Sequence, residues 1–149
     1  MKSQKGSAAV EMAVMTPIIL LILLGVAQFG WLLANFVAVS NAASSAARTF
    51  ASQRGTTAPY TTTLAQAKAA ASFLNQSSIT ISTTVNGVAC TDDAGCAADL
   101  APASSAAANV PVKVSVSYQG FQPIITGNYL NLNSMMPSFL ASTVSARVQ

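Results

Sequence analysis

The sequence contains no histidine and few charged residues of any kind. Histidine is the commonest general base, proton shuttle and metal ligand, so its absence removes much of enzyme chemistry from consideration. Charged residues make up only 7% of the chain, against roughly a quarter in an ordinary soluble domain. Hydrophobic residues make up 52%, and we therefore expect a bilayer or a polymer interior to cover part of the surface.

The charges that are present exclude further classes of protein. Seven basic and four acidic residues give a net charge of +3, but they form no basic run that would neutralise a phosphate backbone. The chain also has no GxSxG motif and no phosphate-cradling glycine loop, which leaves an enzyme only Ser, Thr and Asp to work with. We expect no enzymatic activity, no cofactor, no small-molecule substrate and no nucleic-acid partner.

The only two cysteines, Cys90 and Cys96, enclose a turn-rich stretch that contains Asp92, Asp93 and Gly95. Such a stretch can bring their Cα atoms within bridging distance. In an oxidising compartment the two cysteines are expected to form a disulfide, and the alternative is a pair of free thiols in a flexible loop. Without a CxxC motif, further cysteines or a histidine, they do not predict a metal site.

A long apolar segment lies near the amino terminus. Residues 12–39 include no charged side chain, and as a helix they would reach roughly 40 Å, enough to cross a bilayer core of about 30 Å. Lys2 and Lys5 precede this segment and favour a cytoplasmic start by the positive-inside tendency. The 149 residues suit this membrane helix plus one extracytoplasmic domain.

Two other interpretations of the amino terminus are open. A cleaved secretory signal would use Lys2 and Lys5 as its charged region and the small residues at 40–47 as its cleavage site, but the apolar run exceeds the usual h-region of 7–15 residues. An amino-terminal anchor that is never processed explains everything except Gly6 and Glu11.

Glu11 is the informative residue, because a carboxylate at the mouth of an apolar helix is costly unless it has a partner. If the chain were cut after Gly6, the new amino group of Ser7 would lie one helical turn from Glu11, or from the Glu11 of an adjacent subunit. Either pairing would lower the cost of burying the carboxylate. The alternative is a carboxylate that remains hydrated in the headgroup region.

The sequence KGSAAVEM, residues 5–12, resembles the processing site of type IV prepilins. The longer segment through residue 30 is similar to the TadE-like family of minor pilins of tight-adherence pili. Like that family, it has a proline, Pro17, followed by a leucine run. Met12 stands where that family commonly has an aromatic residue, and Gln28 where it commonly has an acidic one. The resemblance implies a leader of residues 1–6, cleavage by a prepilin peptidase between Gly6 and Ser7, and an assembly role for Glu11.

The resemblance also implies a function in adhesion or secretion. The chain would be a minor pilin or pseudopilin subunit of a tight-adherence, type IVb pilus, held in the inner membrane with a cytoplasmic amino terminus before assembly. Its partners would be other pilin subunits, the pilus assembly machinery, the prepilin peptidase and membrane lipid. The alternative function is a signal-anchored envelope adaptor or binding protein with an uncleaved helix.

Beyond the membrane segment, sequence patterns predict an α+β domain of residues 55–149. The first helix is predicted over residues 7–54, with a kink at Pro17 because proline removes a backbone donor. A second helix is predicted over 63–75. Alternating residues predict strands at 78–85, 110–118 and 140–148, forming an antiparallel sheet of about three strands. An Asn86-Gly87 turn and an exposed loop at about 87–108 complete the prediction.

Overall fold

The structure, a computed structural model, describes residues 4–101, 110–125 and 136–148. It confirms the α+β class. In chain order the elements are helix α1 (Gln4–Ala51), helix α2 (Pro59–Ala70), strands β1 (Ile79–Val85) and β2 (Val88–Cys90), helix α3 (Asp93–Leu100), and strands β3 (Pro111–Tyr118) and β4 (Leu140–Arg147).

The chain divides into two compact units. The anchor unit consists of Met1–Leu33 and Pro123–Met136, and the sheet unit consists of Ala34–Gln122 and Pro137–Gln149. Helix α1 contributes its first part to the anchor unit and its last part to the sheet unit. Part of the predicted leader, residues 1–3, lies outside the described residues.

Helix α1 is 48 residues long and continues through Pro17. Proline leaves the carbonyl four residues earlier without its helical donor. Thr16, the residue immediately before that proline, donates its hydroxyl to the Met12 carbonyl oxygen at 2.6 Å, a bond of the kind that often bends helices. The kink at Pro17 stays a prediction. The helix ends at Ala51, three residues before the predicted end, and Gly55 follows with a φ of 76° that glycine adopts without strain.

Helix α2 begins and ends earlier than the sequence pattern predicts. Pro59 occupies its first turn, where proline costs nothing because that backbone N–H has no helical partner. After Ala70 the chain turns, and the Asn75 side chain accepts a hydrogen bond from the backbone N–H of Ser77 at 3.1 Å to cap a short 3-10 turn. The spacing of apolar residues predicted that a helix is present. Its limits depend on local features that this spacing does not show, namely Pro59 in the first turn and the chain turn after Ala70.

The sheet has four antiparallel strands in the order β2-β1-β3-β4. The predicted turn joins β1 to β2, and both Asn86 and Gly87 have positive φ, as a two-residue hairpin turn requires. Strands β1 and β3 pair along their whole length, from Ile79 opposite Tyr118 to Val85 opposite Val112. Within residues 4–101, 110–125 and 136–148, the prediction of about three strands therefore lacked only the short strand β2.

The exposed loop predicted at about 87–108 is wrong for its first part. Residues 88–90 form strand β2 and residues 93–100 form helix α3, with Cys90, Cys96 and Leu100 all buried. Asp92 starts the helix, because its carboxylate accepts a hydrogen bond from the Gly95 backbone N–H at 2.6 Å. The remainder of the predicted loop, residues 102–108, lies outside the described residues.

The two faces of the sheet differ in chemistry. The inward face carries mainly aliphatic side chains in matched rows, such as Ile81 opposite Val116 and Val85 opposite Val112. The outward face carries two cationic residues near one end, Lys113 and Arg147. Its other polar side chains are short hydroxyls: Thr80, Ser82, Thr84, Ser115, Ser117, Thr143 and Ser145. Some of these hydroxyls bond across strands, as Thr80 does with Ser117 at 2.7 Å. The period-2 pattern in the sequence follows from these two faces.

The core of the sheet unit is closed by the helices. Helices α2 and α3 lie against β1, and Gln66 of α2 donates a hydrogen bond to the Ser45 hydroxyl of α1 at 3.0 Å. The buried stripe of α1 is built almost entirely from small side chains: Ala38, Val39, Ala42, Ala43, Ala46, Ala47, Phe50 and Ala51. Alanines allow close helix packing, and Phe50 is the one large side chain in that stripe.

Candidate functional site: the amino-terminal helix

The predicted processing and assembly residues all lie on helix α1. Gly6 and Ser7 have helical backbone, and Glu11 follows Ser7 by four residues, which is one turn. The Glu11 side chain is exposed on the helix surface. The structure therefore brings the backbone of Ser7 and the carboxylate of Glu11 onto one face of one helix.

The part of α1 after Glu11 exposes an apolar surface. Helix residues Ala8–Ala51 contain an 18-residue window with a mean hydropathy of 2.4, of which nothing is buried within the protein. The helix is long and apolar enough to cross a membrane. Its large exposed side chains include Ile18, Ile19, Leu20, Leu21, Ile22 and Leu23, each more than half exposed. Transfer of such surface from water to hydrocarbon is strongly favourable, so this segment suits a membrane anchor.

A polar side chain, that of Gln28, lies within the apolar segment and is buried. Gln28 is only 2% exposed, and its Oε1 atom accepts a hydrogen bond from the backbone N–H of Ile125 at 3.1 Å. The Nε2 group of Gln28 has no hydrogen-bond partner among the described residues. The contact joins two stretches of the anchor unit that are far apart in the chain.

In the sheet unit the predicted disulfide is confirmed. Cys90 and Cys96 are bonded, with their Cα atoms 5.1 Å apart, and the bond links β2 to α3. Thr83 of β1 lies beside the disulfide, and the Thr83 hydroxyl donates a hydrogen bond to the Cys90 carbonyl oxygen at 2.7 Å. Thr83 is buried, and this hydrogen bond satisfies a hydroxyl that would otherwise be costly to place in the core.

A second link fixes α3 to the start of α2. The Asp93 carboxylate accepts two hydrogen bonds from Thr61, one from its hydroxyl and one from its backbone N–H, the latter at 2.8 Å. The Thr61 hydroxyl, and then its backbone N–H, lower the pKa of Asp93 below its ordinary value of 3.8. Hydrogen bonds of this kind favour the ionised carboxylate, so the link is strongest when Asp93 is charged.

The Asp93 link should make the stability of the sheet unit depend on pH. A lowered folded-state pKa contributes stability that is present above the unfolded-state pKa, near 3.8, and is lost as the pH falls through the folded-state value. We expect Asp93→Asn to lower the melting temperature at pH 6 and to have a progressively smaller effect below pH 3.8. Thermal unfolding of the full chain in detergent across this range measures the difference.

Asp99→Asn serves as the matched control, since Asp99 is another carboxylate of α3. It tests whether the loss of any negative charge on that helix has the same effect. A constant difference between wild type and Asp93→Asn down to pH 2 would contradict the proposed role of the carboxylate.

The sequence analysis did not identify the roles of Gln28, Thr61 and Asp93. An amide in an uncharged apolar run was a usable signal for Gln28, because such a group requires a partner. The Thr61–Asp93 link joins residues 32 positions apart, and nothing in the local pattern indicates it. Among the described residues, no group of three or more Asp, Glu or Cys side chains is arranged to hold a metal ion.

Comparison with known proteins gives a family match. The family model described as TadE-like protein matches residues 6–48, which cover the predicted processing site, the apolar span and the first part of the alanine stripe. No curated protein and no solved structure matches the chain. The match confirms the resemblance over the segment that carries Gly6, Glu11 and Pro17.

Proposed function

We propose that the chain is a minor pilin or pseudopilin subunit of a tight-adherence pilus, a proposal supported by the TadE-like match of residues 6–48. It is cut after Gly6 by a prepilin peptidase and joins a filament through helix α1. Its role is structural and not enzymatic. The observation that carries the proposal is a single helix that combines this processing-site pattern with an exposed apolar surface.

Before assembly the apolar part of α1 holds the subunit in the inner membrane. Lys2 and Lys5 keep the amino terminus on the cytoplasmic side, and the sheet unit lies in the periplasm. A periplasmic location fits the Cys90–Cys96 disulfide, because disulfides persist in oxidising compartments.

During assembly the exposed side chains of α1 leave lipid and pack against the helices of neighbouring subunits. A carboxylate in that apolar environment requires a cation, and cleavage creates one at Ser7. The Glu11 carboxylate then pairs with the amino group of a neighbouring subunit and sets the axial register between subunits. Paired charges in apolar surroundings contribute more to specificity of this kind than to stability.

The processed amino terminus is the direct test. Protein isolated from its native envelope is expected to begin at Ser7 by amino-terminal sequencing and intact mass. Gly6→Leu should retain Met1, because the residue before the cut is changed. Gly25→Ala is the matched control within the same helix, since an added Cβ there would meet nothing within 4 Å, and this variant should be cut normally.

Two other results would each favour an alternative. A wild-type protein that retains Met1 while filaments are present would favour the envelope adaptor with an uncleaved helix. A start within residues 40–47 would indicate an ordinary secretory signal, and α1 would then not anchor the mature protein.

A further inference from the structure

The hydrogen bond between Gln28 and Ile125 connects the apolar span to a segment almost one hundred residues later in the chain. The two residues are 97 positions apart, and both belong to the anchor unit. Pro123–Ile125 is therefore held beside α1 at the level of Gln28, on the side of the helix where the side chain of Gln28 is buried.

The depth of this contact follows from the length of the span. A hydrocarbon core of about 30 Å takes about 20 helical residues. A core that begins just after Glu11 ends near the chain's single tryptophan, Trp31, and tryptophan is enriched at the membrane–water interface. Gln28 precedes Trp31 by three residues, or roughly 5 Å along the helix, so it lies just inside the outer boundary.

Two of the three residues beside Gln28 present no unsatisfied backbone N–H group. Irregular backbone is tolerated in a membrane only where its polar groups are satisfied by protein. Pro123 has no backbone N–H to satisfy, and the N–H of Ile125 is satisfied by the Gln28 amide. Ile124 between them is 58% exposed, which is unfavourable in water and favourable in lipid.

We propose that residues 123–125 form a membrane-interface loop, which Gln28 holds at the outer edge of the bilayer with the Ile124 side chain in contact with lipid. The loop would give the anchor unit a second point of membrane contact beside α1. Gln28 would then act as the acceptor that allows the backbone at Ile125 to enter this layer. The proposal rests on the membrane anchor proposed above.

The test is a spin label on the full chain in phosphatidylethanolamine–phosphatidylglycerol vesicles. Ile124→Cys is labelled without reductant, so that the Cys90–Cys96 disulfide stays intact. Oxygen concentrates in lipid, whereas a nickel chelate stays in water. We expect oxygen collisions to be severalfold more frequent, and nickel collisions severalfold less frequent, than for the same label at Val88→Cys. Val88 is a matched control, because it is apolar and 59% exposed in the sheet unit.

A second comparison tests the role of the amide. In Gln28→Met combined with Ile124→Cys, the acceptor for the Ile125 N–H is replaced by a side chain of similar length. The label should then become severalfold more accessible to the nickel chelate. Unchanged accessibility would show that Gln28 does not hold the loop, and would overturn that part of the proposal.

Three results separate the possible failures. Nickel accessibility at residue 124 equal to that at residue 88 would overturn the interface loop. Low accessibility to both reagents, relieved when the protein is diluted in lipid, would indicate contact with a second copy of the chain in place of lipid. A label at Leu21→Cys that is open to nickel would mean that α1 does not span the bilayer, and the membrane anchor itself would fail.

Discussion

Glu11→Gln is expected to leave the amount of subunit in the membrane unchanged and to reduce its incorporation into filaments on the order of a hundredfold. Removing one partner of a charge pair in apolar surroundings costs about 3 kcal/mol or more, because the other charge is left without compensation. Before assembly this cost does not arise, since the Glu11 side chain is exposed on α1 and the helix mouth can be hydrated. The predicted defect is therefore one of assembly and not of folding.

The measurement compares subunit abundance in the membrane fraction with that in sheared filaments, by quantitative immunoblotting. Glu11→Asp is the control, because it keeps the charge on a shorter side chain and should retain part of the assembly. Glu11→Ala should behave as Glu11→Gln does. Wild-type levels of Glu11→Gln in filaments would show that register is set by other contacts.

Phe50→Ala is expected to lower the free energy of unfolding of the sheet unit by about 3–5 kcal/mol. Phe50 is fully buried, and the neighbouring positions on α1 are mainly alanines, whose side chains cannot move to fill the space. The cavity would remain largely open, and cost rises with the volume that stays unfilled. Since small domains have only about 5–15 kcal/mol of stability in total, this variant should be close to unfolding at growth temperature.

Urea unfolding in detergent, followed by the near-ultraviolet circular dichroism of the tyrosines, measures this change. Buried Tyr118 lies in the sheet unit and reports its packing. Phe73→Ala is the matched control, because Phe73 is 61% exposed in the same unit and its loss should cost less than about 0.5 kcal/mol. Equal effects of the two substitutions would show that the α1 stripe does not form the core of the unit.

Local periodicity was sufficient to predict the longest elements. Strand β3 alternates valines with polar residues over its whole length, and the structure buries Val112, Val114 and Val116 on one face. The uncharged run likewise predicted α1, because few other structures accommodate such a segment. In each of these elements one physical requirement determines the sequence pattern. For β3 it is the burial of one face, and for α1 it is an apolar surface that can be covered by lipid or by other helices.

Shorter elements depend on contacts that local patterns do not reveal. Helix α3 has only eight residues, a length that is marginal in isolation. It is stabilised by the Cys90–Cys96 bond, by the Asp92 cap and by the Thr61–Asp93 link. The composition of this stretch indicated a loop, because the groups that stabilise the helix are partly elsewhere in the chain.

The residues of the candidate site likewise fall into those that the sequence predicted and those that it did not. Gly6, Glu11 and Pro17 were found from sequence because they belong to one continuous segment, and the family match covers that segment. The contact of Gln28 with Ile125 was not predicted, since three of the four strands lie between the two residues in the chain. Sequence could identify Gln28 as an unusual residue but could not supply its partner.

The outward face of the sheet determines how that surface interacts with its surroundings. Its serine and threonine hydroxyls do not ionise at physiological pH, and Thr143 donates to Ser115 at 2.9 Å in addition to the pair between β1 and β3. Salt screens charges but leaves neutral hydrogen bonds largely unaffected. The hydroxyl part of this surface will therefore stay equally well hydrated in fresh water, brine and weak acid, and any dependence on salt should be confined to the end that carries Lys113 and Arg147.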